Sequence, residues 1–181
     1  GVGDHVGEGG VLDGLPPQCG TGPAASGGIS VLDQPCDELC GLGPLEVGDL
    51  ADRSRLDAVF AEWKPVAVMH FAALSLVGDA MRDPGTYWRA NVLGALNLIE
   101  ASVAAGCLDF VFSSTCATYG DQDGVVLDED TPQRPINAYG KSKRAIEDML
   151  KDFGASQGLR SVIFRYFNVA GADPDGEVGE F

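Results

Sequence analysis

The apolar runs Val66-Ala67-Val68-Met69-His70-Phe71 and Phe110-Val111-Phe112-Ser113, with the amphipathic stretch from Pro84 to Ala105 between them, decide the fold. Short apolar runs joined by a helix-length connection are the pattern of βαβ units, because parallel strands need a crossover that carries the chain back to its starting end. The alternation extends both ways. Upstream, Leu45 to Val47 is a short strand, and Asp52 caps a helix with Leu56, Val59, Phe60 and Trp63 at i, i+3, i+4 and i+7. Pro65 separates that helix from the strand Val66 to Phe71, which is expected to be buried. The helix from Pro84 is expected to turn Val92, Leu96 and Ile99 inward and to end at Gly106. Downstream, a polar loop reaches Pro135, a helix runs from about Ala138 to Ser156, and Gly158 leads into a strand from Ser161 to Tyr166.

With 181 residues, 45% of them apolar, the chain holds one domain of ordinary size. Acidic residues outnumber basic ones 27 to 12, giving a net charge of -15 with no basic stripe, which disfavours a nucleic-acid partner. No apolar run approaches the roughly 20 residues of a membrane span, and the start of the chain, with Asp4 and Glu8, does not read as a signal peptide. A cytoplasmic protein without a membrane partner is expected. Cys19, Cys36, Cys40, Cys107 and Cys116 are odd in number and irregular in spacing, which fits reduced thiols. No metal site is expected, since Cys36 and Cys40 lack a second ligand pair and His5 and His70 stand isolated.

Chemistry concentrates in Tyr139-Gly140-Lys141-Ser142-Lys143. Four residues apart on a helix, Tyr139 and Lys143 share a face, so the ammonium is expected to favour the phenolate and lower the tyrosine pKa toward neutrality. The same pair could equally be an ordinary exposed one. Upstream, Phe112-Ser113-Ser114-Thr115-Cys116-Ala117-Thr118-Tyr119-Gly120 follows a strand whose carboxyl end would open on a ligand crevice. Thr115 there could share a substrate proton with Tyr139, or the cluster could serve only turn hydrogen bonding.

With Gly48-Asp49-Leu50, His70-Phe71-Ala72-Ala73, Asn91-Val92-Leu93-Gly94 and Arg165-Tyr166-Phe167-Asn168 in the same order, the chain from Gly48 to Glu180 resembles the extended short-chain dehydrogenase/reductase superfamily. Within it, the segments are most similar to the NAD-dependent epimerase/dehydratase family, and there to the UDP-glucose 4-epimerases. The resemblance implies an α/β fold with a Rossmann-like, doubly wound parallel sheet. It implies NAD as cofactor, with Asp33, Asp49, Leu50, Phe71, Ala72, Ala73, Asn91, Ser113, Tyr139, Lys143 and Phe167 as its contacts. It implies a UDP-sugar substrate held by Thr115, Tyr139 and Asn168, and catalysis by Tyr139, Lys143 and Thr115. It also implies pairing of full-length chains as homodimers. Each residue has a plainer alternative: Asp49 as a helix cap, Phe71 to Ala73 and Phe167 as core, Asn91 satisfied by nearby backbone. The implied reaction inverts C4 of a UDP-hexose, interconverting UDP-glucose and UDP-galactose through a transient 4-keto sugar.

Two alternatives are set against this. Sugar-nucleotide 4,6-dehydratases resemble the chain but carry an acid just after the Ser/Thr position, where Cys116 and Ala117 stand. A non-catalytic nucleotide-binding module on the same fold would be expected to have lost Tyr139 or Lys143, and both are present.

Residues 1 to 44 depart from the pattern. Thr21-Gly22-Pro23-Ala24-Ala25-Ser26-Gly27-Gly28 has Ala25 where the middle glycine of a phosphate-binding turn belongs, no strand precedes it, and Asp33 follows too closely. We expect this Gly/Pro-rich segment to be out of frame or scrambled, the family frame resuming between about Asp33 and Pro44, with a divergent N-terminus as the rival. A partial NAD-binding domain is expected over residues 45–181, without the C-terminal substrate domain that the family's chains continue into. This polypeptide alone is then expected to bind NAD poorly and to show no detectable turnover.

Overall fold

The computed structural model describes residues 48–168. The segment 1–44, Asp33 and the strand Leu45 to Val47 lie outside the described residues.

Helix α1 spans Arg53–Trp63 and is capped by Asp52, whose carboxylate accepts the Arg55 amide at 3.0 Å. It leads through Lys64, at φ 46°, into strand β1, Ala67–His70. A short helix α2, Val77–Arg82, then precedes α3, Pro84–Tyr87, a π-helical turn, Trp88–Leu93, and α4, Gly94–Ala104. Strand β2, Asp109–Thr115, runs into a 3-10 turn, Cys116–Thr118. Helix α5, Ala138–Gln157, starts at Asn137, whose side chain accepts the Gly140 amide at 2.7 Å, and ends at Gly158. Strand β3, Arg160–Tyr166, completes a parallel sheet of order β1-β2-β3. Its register pairs His70 with Phe112 and Thr115 with Tyr166, so the carboxyl ends of all three strands lie together.

The core packs α1, α4 and α5 against one sheet face, through Leu56, Phe60, Val68, Leu98, Ile99, Phe110, Phe112, Ile146 and Leu150. Burying such apolar side chains is the main favourable term in folding, about 1.5–3 kcal/mol for each one fully buried. Among the described residues the expected strands and helices form within one or two residues of their predicted bounds, but one expectation of burial fails and one is met only in part. The strand at Val66 to Phe71 is not buried throughout: only Val68 and His70 face the core, while Val66 is 86% and Met69 63% exposed. Successive side chains alternate across a strand, and among the described residues the helices pack on one face only. The helix from Pro84 is also not uniform. A π turn, Trp88–Leu93, lies within it, yet the buried residues Asn91, Ala95, Leu98, Ile99 and Ser102 keep ordinary helical spacing; Ile99 faces inward as expected, Val92 packs part-buried against the core and Leu96 is part-buried.

Gly94 packs tightly on Leu50: a Cβ there would lie 3.1 Å from that of Leu50, which would have to give by a few tenths of an ångström. This close approach lets Leu50 enter the core.

Candidate active site

At the carboxyl end of β2, three consecutive residues meet α5. The Ser113 carbonyl accepts a hydrogen bond from Lys143 Nζ at 2.8 Å, the Ser114 hydroxyl donates to Glu147, and Thr115 faces Tyr139. The approach is close because residue 140 is glycine: a Cβ there would sit 2.4 Å from the Ala117 carbonyl oxygen. Helix and turn backbones therefore touch beside Tyr139.

Thr115 is 9% exposed, and its Oγ1 accepts the Ala117 amide at 3.2 Å, so the expected turn role is real and coexists with the contact to Tyr139. Burial pushes the Tyr139 pKa above that of an ordinary phenol, and the hydrogen bond with Thr115 pulls against it. Cys116 and Tyr87 push it further up. This corrects the expectation that Lys143 would lower it. The Lys143 ammonium is turned to the Ser113 carbonyl and lies 4.8 Å from the centroid of the Phe112 ring, and its own pKa falls to about 8 through burial. Sequence spacing put Tyr139 and Lys143 on one face, but the lysine stem is long enough to carry its charge beneath the sheet end.

Asn91 is 1% exposed, and much of its bonding goes to nearby backbone, the plainer alternative. Its Oδ1 accepts the Leu74 amide at 2.8 Å, and its Nδ2 donates to the Leu74 carbonyl at 3.0 Å and to Ser142 Oγ at 3.2 Å. The loop Phe71-Ala72-Ala73-Leu74 is thereby tied to α5. Ala72 and Ala73 are part-buried, whereas Phe71 is 54% exposed at the end of β1 and Phe167 57% exposed past β3. Asn168 is exposed beside it. Leu50 belongs to the core, and Asp49 is exposed, its side chain accepting the Ala51 amide at 2.9 Å. Tyr139, Lys143, Thr115, Ser113 and Asn91 are thus linked in one constellation. Asp49 holds the turn before α1, whose cap is Asp52 and not Asp49, and Leu50 lies in the core, a role the sequence reading had not given it.

Several members had no role in the sequence expectations. Ser142, fully buried, links Asn91 to α5, and Tyr87 donates its hydroxyl to the Leu76 carbonyl at 2.7 Å. His70 is 2% exposed, stacked on Phe112 with centroids 5.5 Å apart, and its Nε2 has no hydrogen-bond partner among the described residues. Burial and the Lys143 charge bring its pKa down to about 3, so it is neutral. Glu147, fully buried, had a legible signal: a carboxylate between Ile146 and Leu150 on the inner stripe of α5. Among the described residues no group of His, Cys, Asp and Glu is arranged to hold a metal ion.

Comparison with known proteins fits this geometry. Residues 26–181 match the model of the NAD dependent epimerase/dehydratase family. A UDP-glucose 4-epimerase of Rhizobium meliloti is 53% identical over 145 residues, 80% of this chain and 44% of the relative. One from Streptococcus mutans is 49% identical over 134 residues, 74% of this chain and 40% of the relative. The crystal structure of UDP-glucose 4-epimerase from Brucella ovis in complex with NAD superposes with a TM-score of 0.72 at 43% identity, covering 78% of this chain and 43% of that one. The chain thus spans less than half the length of these relatives. With the family match running from residue 26 to residue 181 and a parallel Rossmann-like sheet bearing the Thr115-Tyr139-Lys143 cluster, the chain belongs to the NAD dependent epimerase/dehydratase family.

Proposed function

We propose that the whole protein inverts C4 of a UDP-hexose, interconverting UDP-glucose and UDP-galactose through a transient 4-keto sugar. The observation that carries this is the contact of Tyr139 with Thr115 at the carboxyl end of β2, beside the buried Lys143. Ionised, Tyr139 accepts the proton of the sugar 4-hydroxyl. Thr115 stabilises that ionised form and passes the proton between substrate and phenol. Asn168, exposed past the end of β3, is assigned to the sugar nucleotide.

The residues at this end suit a dinucleotide. Lys143 gives one donor to the Ser113 carbonyl, leaving ammonium donors for ribose hydroxyls, and Phe71 and Phe167 offer exposed apolar surface to flat rings. Ala72, Ala73, Ser113 and Asn91 complete the wall, and Asp33, Asp49 and Leu50 remain assigned to the far end of the cofactor. NAD, when bound, supplies the two-electron acceptor and donor that lets C4 be oxidised and reduced again.

A dehydratase needs a free acid beside Thr115. Cys116 and Ala117 supply none, and Glu147 is engaged by Arg165, Ser114 and Gln133. No helix among the described residues is long and apolar enough to cross a membrane. The free thiols Cys107 and Cys116 support a reducing, cytoplasmic setting. A homodimer of the whole protein belongs to the same proposal and is checked by light scattering. The decisive experiment converts UDP-galactose to UDP-glucose with the whole protein, NAD present. Tyr139→Phe should lower kcat by about 10²–10⁴-fold, the range of general acid–base catalysis. Retention of kcat in that variant, or no turnover by the parent, overturns the proposal.

A further inference from the structure

Outside the proton-handling trio, one buried charge cluster joins α5 to both strand ends. Glu147 accepts from the Ser114 hydroxyl through Oε1 and from Gln133 Nε2 through Oε2 at 2.9 Å. Arg165 contacts both carboxylate oxygens, with Nη2 2.9 Å from Oε2, and its Nη1 donates to the Tyr119 hydroxyl at 2.9 Å and the Glu129 carbonyl at 3.2 Å. Ser114 and Arg165 are register partners in β2 and β3, so their side chains share the helix-facing side of the sheet. A buried ion pair is weak evidence for stability, because desolvation offsets much of the attraction; its better-attested use is to specify one arrangement.

The arrangement needing specification is the depth and rotation of α5. Tyr139, Lys143 and Glu147 lie at i, i+4 and i+8, one stripe of the helix, and they meet Thr115, Ser113 and Ser114 respectively. Gly140 permits close approach at the start of the helix without enforcing it. Glu147 is two turns on and grips both strands.

We propose that Glu147 is a positioning residue: held by Arg165 and Ser114, it fixes α5 in the rotation that presents the Tyr139 phenol to Thr115. This rests on the proton-transfer role proposed for Tyr139 and deepens it. The groups facing the phenol are Thr115 and Cys116 from the end of β2 and the turn after it and Tyr87 from α3, while Lys143, one turn along α5, is turned to the Ser113 carbonyl. None of them is altered in the test.

Tyrosines labelled with carbon-13 at the ring Cζ are titrated by NMR in the full chain over roughly pH 7 to 12, the range in which phenols ionise. The Tyr139 signal is assigned by its loss in Tyr139→Phe. Glu147→Gln removes the charge and keeps the shape, whereas Ser114→Ala cuts only the link to β2 and leaves the ion pair intact. In each, the Tyr139 midpoint should rise by about 0.5–1 pH unit, the worth of one loosened hydrogen bond. Glu147→Asp, keeping the charge, should shift it less than Glu147→Gln. A purely structural role lowers the melting temperature and leaves the Tyr139 midpoint in place. That result, in whichever of the variants folds, overturns the proposal. Because the readout is ionisation and not turnover, an inactive protein with a shifted midpoint refutes the proposed reaction while sustaining the positioning role.

Discussion

A single methyl group at residue 140 probes how tightly α5 must approach the turn after β2. In Gly140→Ala the new Cβ would fall 2.4 Å from the Ala117 carbonyl oxygen, 3.0 Å from its carbon and 3.2 Å from Pro135 Cβ. Carbon–oxygen contacts settle at about 3.3–3.6 Å, so helix and turn must separate by about 1 Å. Backbone stands in the way, not the end of a flexible side chain. Overpacking of this kind costs about 1–3 kcal/mol, and alanine returns up to about 1 kcal/mol of helix propensity, leaving a net loss of about 0–3 kcal/mol. Because Glu147 holds α5 two turns further on, the displacement falls on the first turn, which carries Tyr139. A displacement of about 1 Å in a reacting group lowers a rate by on the order of 10²-fold, far more than the stability loss suggests. The assay pairs kcat of the whole protein with urea unfolding, and Gly78→Ala, whose Cβ meets nothing within 4 Å, serves as control. A Gly140→Ala protein whose kcat stays within about threefold of the parent would refute the claim that the phenol's position depends on this close approach being open.

Asn91→Leu should leave the Leu74 amide and carbonyl without their side-chain partners, at about 1–3 kcal/mol for each buried polar group. Hydrogen exchange at the Leu74 amide should then speed up by about tenfold or more, and unchanged protection there would show that the loop is held by something else. His70 has a folded-state pKa of about 3 against 6.5 for the free side chain. Between those values the native state is neutral while the unfolded chain takes up the proton, so stability is full above pH 6.5 and is lost as pH falls toward 3. At about 1.4 kcal/mol per pH unit this is on the order of 3–6 kcal/mol. His70→Leu should flatten that part of the acid unfolding curve, measured by urea titration at several pH values, and parallel curves for the two proteins would contradict the assignment.

Much of this was legible in the sequence. The spacing of Val66 to Phe71, Pro84 to Ala105 and Phe110 to Ser113 determined a parallel α/β sheet, because hydrophobic period and connection length are local properties. Asp52, Asn137 and Gly158 marked helix ends for the same reason, through backbone groups within a few residues. The placement of Thr115, Tyr139 and Lys143 also followed, since parallel strands bring their carboxyl ends together.

Tertiary structure alone decided the rest. The π turn at Trp88–Leu93 interrupts that helix, and no composition rule announces it. Burial reversed the expected shift of the Tyr139 pKa, because desolvation depends on what covers a group and not on its neighbours four residues away. Glu147 and Arg165 meet across 18 positions of sequence, and only the packing of α5 on β2 and β3 turns two charges of ordinary appearance into a buried clamp. Sequence thus determined which groups are present and on which elements. Three-dimensional packing decided how deeply each is buried, and therefore which charge acts on which.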